Sequence, residues 1–250
     1  MSSSRHAALV CLFLSVFPVS RVFAQTFTTP RPPVTGGATC RGEAATAVVA
    51  AGDDYVGTNE RDVIVLLGNG SEVWANLGDD LVCVYGNASG DTYGHGSRIY
   101  LGPGHDTIIT YGGSNYITGD DGNDFIYLNG DTEEVEAGDG NDHIWALGAT
   151  TARVYGGDGN DLLVGSPGVD HFYGDNDTDV LMGNGGDDDL NGGEGNDTLY
   201  GNAGVDHLRG DGGLFDECID NLPAGAILSS CEIQSGGGPG LPESGGKATP

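Results

Sequence analysis

Six aspartates recur at intervals of nine residues: Asp161, Asp170, Asp179, Asp188, Asp197 and Asp206. Each follows a glycine by five positions (Gly156, Gly165, Gly174, Gly183, Gly192, Gly201) and precedes a large apolar residue by two (Leu163, Phe172, Leu181, Leu190, Leu199, Leu208). If residues eighteen apart stack on neighbouring parallel strands, about 4.8 Å apart, then Asp161, Asp179 and Asp197 form one column, and Asp170, Asp188 and Asp206 another. Like charges at about 5 Å repel by roughly 3 kcal/mol at an effective dielectric near 20. One apolar side chain per nonapeptide contributes only roughly 1.5–3 kcal/mol, against about 9–18 kcal/mol for ordering nine backbones. A bridging cation answers both difficulties. The chemistry these residues suit is therefore hard-cation binding, and calcium fits best because it accepts irregular, crowded oxygen shells.

The elements that position such columns follow from the period. Nine residues are too few for a helix and a turn, so each unit is a turn and a short strand. In Asp197-Thr198-Leu199-Tyr200 polar and apolar residues alternate, as in a strand with one face inward. The preceding G-x-x-G-x stretch is the turn, where glycine reaches backbone angles other residues avoid. Two nonapeptides complete one coil. The fold class is all-β, a parallel β-roll or β-helix solenoid built from nonapeptide repeats.

Upstream of Val154 the apolar phase continues, after a one-residue slip, through Ile144, Val135, Ile126, Ile117, Ile108 and Ile99. Fainter copies lie at 57–65 and 75–83, where Asp80 and Val82 hold phase. Asp106, Asp124 and Asp142 are eighteen apart and run across the slip into Asp161. The alternate column instead reads Ser97, Asn115, Glu133 and Ala152 before it becomes Asp170. The expectation is an asymmetric roll, with calcium along one edge for most of its length and along both only in the C-terminal half. Five adjacent aspartate pairs on one edge and two on the other predict roughly seven ions. Asn115→Ala is expected to matter little.

The blocks GGDGNDLLV (156–164) and GGEGNDTLY (192–200) closely resemble the repeats-in-toxin (RTX, hemolysin-type) nonapeptide GGxGxDxUx of secreted bacterial calcium-binding proteins. The resemblance implies a parallel β-roll whose turns hold calcium through the aspartates and neighbouring carbonyls. Carried over by position, the ligands are Asp106, Asp124, Asp142, Asp161, Asp170, Asp179, Asp188, Asp197 and Asp206. This sequence departs from the pattern at Asp177, which replaces the fourth-position glycine, and at Ser166, Asp175, Asn184, Asn202 and Asp211, which replace the second. These changes are expected to alter turn detail more than architecture.

Composition narrows the partners. With 37 acidic and 9 basic residues, a formal charge of −28 excludes the basic footprint of nucleic-acid binding and opposes docking to anionic membranes. Residues 1–24 read as a secretory signal: Arg5 and His6 precede the apolar run 7–16, and Val22-Phe23-Ala24 suits cleavage. The run is short for a membrane span, so no membrane insertion is expected. Residues 25–39 read as a proline-bearing linker, 40–98 as an N-terminal cap with degenerate repeats, 99–213 as the calcium-binding roll, 214–234 as a disulfide-closed cap and 235–250 as a flexible tail. Four cysteines outside the signal suit an exported chain. They allow three pairings; Cys40 with Cys83 and Cys218 with Cys231 is favoured because the two ends of a roll lie far apart.

Enzyme signatures are missing: there is no Walker loop, Gly-x-Ser-x-Gly elbow or His-Glu-x-x-His motif. His143, His171 and His207 occupy the seventh position and are expected to face solvent. Tyr155 and Tyr173, at the ninth, should stack one coil apart. The reading is a secreted, extracellular, non-enzymatic β-roll that folds on binding calcium and has a structural, adhesive or matrix role, with an extracellular polysaccharide or surface as partner. The alternative is a polysaccharide-acting enzyme or an accessory module of an extracellular enzyme.

Overall fold

In the computed structural model the strands alternate, coil after coil, between two parallel sheets of ten and eleven strands. The structure describes residues 38–86, 96–220, 227–231 and 233–234. The expected signal at 1–24, most of the linker at 25–39 and the tail at 235–250 lie outside these residues. Thr39 already belongs to a strand, so ordered structure begins inside the stretch read as linker. Every regular element among the described residues is a β-strand.

The registers give the coil length directly. Phe172 pairs with Leu190 and Leu190 with Leu208 in the ten-stranded sheet. Leu163 pairs with Leu181 and Leu181 with Leu199 in the other. The slip is absorbed as one additional residue, since Val135 pairs with Val154 and Ile144 with Leu163. Further back, Val73 pairs with Ile99 and Val82 with Ile108. The phase therefore survives a longer loop, and strands Val63–Leu67 and Leu81–Tyr85 belong to the same stack. All the eighth-position residues from Ile99 to Leu208 are fully buried in one continuous core, each contributing roughly 1.5–3 kcal/mol by burial.

The two outer faces differ sharply in chemistry. On the ten-stranded sheet the outward positions carry Arg98, Glu134, Glu136, Arg153, His171, Asp189 and Arg209 beside Tyr100, Tyr116, Tyr155 and Tyr173. On the eleven-stranded sheet, from Phe125 to Tyr200, they carry Tyr127, His143, Trp145, Leu162, Val164, Val180, Met182 and Thr198, and no carboxylate.

Rings on neighbouring coils stack nearly parallel: Tyr127 on Trp145 at 4.8 Å, Tyr85 on Tyr111 at 4.7 Å and Tyr155 on Tyr173 at 4.8 Å. His143 is not a free solvent-facing side chain. It stacks on Phe125 at 5.2 Å, and burial lowers its pKa.

Both ends are tied by disulfides. Cys40 bonds Cys83, and Cys218 bonds Cys231. The first does not close the end of the coil. The short hairpin Thr39–Cys40 with Glu43–Ala44 lies against the flank of the eleven-stranded sheet. There Cys40, Val63, Val65, Leu81, Cys83 and Ile109 form a second small core. At the other end Cys218 takes the inward position paired with Leu199, so the second disulfide borders the last coil of the core.

Candidate metal sites

Each motif aspartate ends a turn and immediately precedes a strand. Asp161 leads into Leu162–Val164 of the eleven-stranded sheet, and Asp188 into Asp189–Glu194 of the ten-stranded one. The two columns therefore lie on opposite edges of the roll.

Along the first edge one hydrogen bond repeats. The Asp142 N–H donates to Asp161 Oδ1 at 2.8 Å, the Asp161 N–H to Asp179 Oδ1 at 2.8 Å, and the Asp179 N–H to Asp197 Oδ1 at 2.9 Å. Asp106 donates to Asp124 at 2.8 Å and Asp124 to Asp142 at 2.7 Å. The ladder also runs beyond the predicted set. Asp62 donates to Asp80 at 2.7 Å, Asp80 to Asp106 at 2.6 Å, and Asp197 to Asp216 at 3.0 Å. Asp62, Asp80 and Asp216 were missing from the expected ligands. Asp62 and Asp80 stood in phase in the faint copies, but 26 residues separate Asp80 from Asp106.

The second edge has two parts. Downstream, the Ala152 N–H donates to Asp170, Asp170 to Asp188 and Asp188 to Asp206, at 2.7, 2.8 and 2.9 Å. Upstream the same ladder is built from other side chains. The Ser97 N–H donates to Asn115 Oδ1 at 3.1 Å, and the Asn115 N–H to Glu133 Oε2 at 3.1 Å. Asn115 is therefore a buried structural acceptor, so its loss is expected to cost stability even where it matters little to calcium binding. Burial pushes the Glu133 carboxyl up to about 8, against bonds from Thr110 and Asn115 that lower it.

The second carboxylate oxygen decides what the aspartates can hold. At Asp80, Asp106, Asp124, Asp142, Asp161, Asp179 and Asp197 on the first edge, and at Asp188 and Asp206 on the second, Oδ2 is buried and has no hydrogen-bond partner. Such an atom is expensive to leave unmatched. The invariant first glycine makes room for it. A Cβ on Gly156, Gly174 or Gly192 would collide with Oδ2 of Asp161, Asp179 or Asp197, and backbone carbonyls of the next coil also border Gly156 and Gly174. Turn residues Asp175, Asp177, Asn184, Asn202 and Asp211 take left-handed angles, φ 62–74°, which Asp and Asn tolerate best among non-glycine residues.

Burial raises these carboxyls, opposed by the ladder N–H bonds. Neighbouring carboxylates reinforce the rise at Asp106, Asp124, Asp161, Asp179 and Asp188. Asp124 and Asp161 reach about 8, Asp106, Asp179 and Asp188 about 7, and Asp142 and Asp197 about 6. Among the described residues no three His, Cys, Asp or Glu side chains converge, so a cation held here would draw on single carboxylates and turn carbonyls. That donor set is hard and all-oxygen, suited to calcium rather than to a soft transition metal.

Parallel coils of eighteen residues with oxygen ladders on both edges define a cation-binding β-solenoid. Four copies of the RTX calcium-binding nonapeptide repeat match residues 100–132, 127–150, 155–190 and 182–213. The chain is an RTX-type calcium-binding repeat protein, and its cofactor is calcium. No curated protein matches it as a relative. Asp62, Asp80 and Asp216 lie outside the matched residues, so the ladder is longer than the recognisable repeats.

Proposed function

We propose that this is a secreted protein whose roll folds on binding calcium and then serves outside the cell as a structural or adhesive body. The observation that carries the reading is the row of buried aspartate Oδ2 atoms without partners. The ligands would be Asp80, Asp106, Asp124, Asp142, Asp161, Asp179 and Asp197 on one edge, with Asp188 and Asp206 on the other. Calcium would supply charge neutralisation, turning mutual repulsion into a bridge between coils. Affinities are expected in the range of extracellular modules, roughly 10⁻⁴–10⁻³ M. Metal that binds only the folded chain stabilises it in proportion to its concentration.

Two disulfides support an oxidising compartment, and the N-terminal apolar run supports export. The carboxylate-free flank of the eleven-stranded sheet supports adhesion, since contiguous apolar surface marks contact sites. A sugar platform is less well supported, because the rings lie face to face with one another and do not turn their faces outward.

Far-ultraviolet circular dichroism of residues 25–250, titrated with calcium against a magnesium control, tests the reading. A calcium-specific coil-to-strand transition is expected. An unchanged strand spectrum from chelator to about 10 mM calcium, well above the expected affinity, would overturn it.

A further inference from the structure

Asp170 differs from every other aspartate that the repeat motif marks as a ligand. Its Oδ2 accepts the backbone N–H of Ser166 at 2.7 Å, and its Oδ1 accepts both the Ala152 N–H at 2.7 Å and the Ser166 hydroxyl at 3.3 Å. The Ser166 Oγ in turn accepts the Gly168 N–H at 2.9 Å. Ser166 is fully buried, and it is not among the residues with left-handed backbone angles. Asp175, Asn184, Asn202 and Asp211, at the same position of the following repeats except for Gly193, all have such angles. The proline at 167 accounts for the change, because a residue before proline is pushed toward extended angles. With that one rotation the serine amide and hydroxyl turn inward and meet the carboxylate.

A related arrangement, with the hydroxyl on Oδ2 rather than Oδ1, occurs on the other edge. Asp62 Oδ2 accepts the Thr58 N–H at 2.7 Å and the Thr58 hydroxyl at 2.9 Å, and the Glu60 N–H donates to that hydroxyl oxygen at 3.2 Å. Again the hydroxyl residue stands four positions before the aspartate and directly after a glycine. Where the hydroxyl is present Oδ2 is satisfied; at nine other aspartates without it, Oδ2 is buried and partnerless.

We infer that Ser166 and Thr58 take the place of a calcium ion, so that the turns ending at Asp170 and Asp62 close without metal. The Ser166 N–H at Asp170, and both the N–H and the hydroxyl of Thr58 at Asp62, point at the oxygen a cation would need, and a cation does not share that position with a proton donor. Asp170 Oδ1 still accepts the ladder N–H of Ala152, whereas Asp62 Oδ1 accepts the Thr46 hydroxyl at 3.0 Å and Asp62 joins its ladder through its own N–H. Asp170, expected from the repeat to be a ligand, is on this inference a hydrogen-bonded cap at the point where the second edge changes from Ser97, Asn115, Glu133 and Ala152 to a run of aspartates. Thr58 gives the first edge the equivalent start. The inference rests on the calcium-binding reading above and refines it, by stating which turns stay empty of metal.

Calcium bound per chain at saturation, measured by elemental analysis after equilibrium dialysis, tests it, with the strand spectrum confirming folding of each variant. Asp170→Asn should leave the count unchanged, whereas Asp188→Asn should lower it. Ser166→Gly combined with Pro167→Ala, which frees the second position to take left-handed angles and turns its N–H away, should raise the count by about one ion, the number one further bridged turn would hold. An equal loss from Asp170→Asn and Asp188→Asn, or an unchanged count in the folded Ser166→Gly/Pro167→Ala variant, would overturn the inference while leaving calcium binding itself intact. A wild-type chain that binds no calcium would instead sink the functional reading on which it rests.

Discussion

The two edges of the roll solve one problem in different ways. Both must supply an acceptor to the backbone N–H at the foot of each strand, eighteen residues back along the chain. The first edge uses aspartate from Asp80 to Asp197 and leaves a second oxygen buried and unmatched at each step. The upstream part of the second edge uses Ser97, Asn115 and Glu133, which complete the ladder through hydrogen bonds. The ladder bond is therefore structural and common to both edges, whereas the spare carboxylate oxygen is what calls for calcium. Glycine, aspartate and apolar phases can be conserved in space while only one of them carries the metal chemistry.

Removing calcium gives the largest separation between the edges. In chelator near pH 8, hydrogen exchange should accelerate at the amides of Asp124, Asp161 and Asp179. The amides of Ser97 and Asn115 should stay protected longer, because their acceptors carry no unmatched charge. Uniform exchange along both edges would break the comparison.

Acid should partly replace the metal. The first-edge carboxyls are raised above their ordinary value, to about 6–8. The metal-free folded chain thus holds more protons than the unfolded one between about pH 4 and 8. This contribution to stability is fully present below the unfolded value and is lost as pH rises through the folded one. Strand signal in chelator should therefore be stronger at pH 5 than at pH 8, and saturating calcium should flatten the dependence. Calcium binding near pH 6 should also release protons, which calorimetry in buffers of different ionisation enthalpy can count.

Single substitutions sharpen the contrast further. Asp179→Ala removes the acceptor of the Asp161 N–H and a proposed calcium ligand. It should weaken calcium affinity and its cooperativity, and lower stability in saturating calcium by about 1–3 kcal/mol for the orphaned donor. Asn115→Ala orphans the Ser97 N–H and should show a similar stability loss in urea titration, with no change in calcium affinity. The smallest effect is expected from Tyr173→Ala, which unstacks Tyr155. Beyond lost burial, that contact is worth about 0.5–1.5 kcal/mol, and calcium affinity should be untouched.

Much of this was legible in the residue spacing. A glycine, an aspartate and an apolar residue locked in phase admit one kind of stack, and Ile99 through Leu208 enter the core as that period requires. The ladder's outer rungs were hidden by loop length. Asp80 and Asp106 pair across 26 residues, and Asp197 and Asp216 across 19, so no fixed period connects them. Ser166 read only as a substituted turn glycine, because the rotation before Pro167 that turns its amide and hydroxyl onto Asp170 leaves no trace in periodicity. The apolar flank was missed for a related reason. Seventh and ninth positions face outward whatever residue they hold, so their character follows from no rule of spacing, and only the alternation of coils between two sheets separates Tyr127, Trp145 and Met182 from Glu136, Tyr155 and Asn191.

The chain has two tryptophans, and the stacking of the coils places one in each wall of the roll. Trp74 lies against Tyr100 at 5.5 Å in the ten-stranded sheet, and Trp145 against Tyr127 at 4.8 Å in the eleven-stranded one. Each pair spans a single step between coils, so excitation absorbed by the tyrosine passes to the indole most efficiently while that step is closed. The protein carries two built-in optical gauges, and their emission, followed separately in single-tryptophan variants, reports which wall zips first.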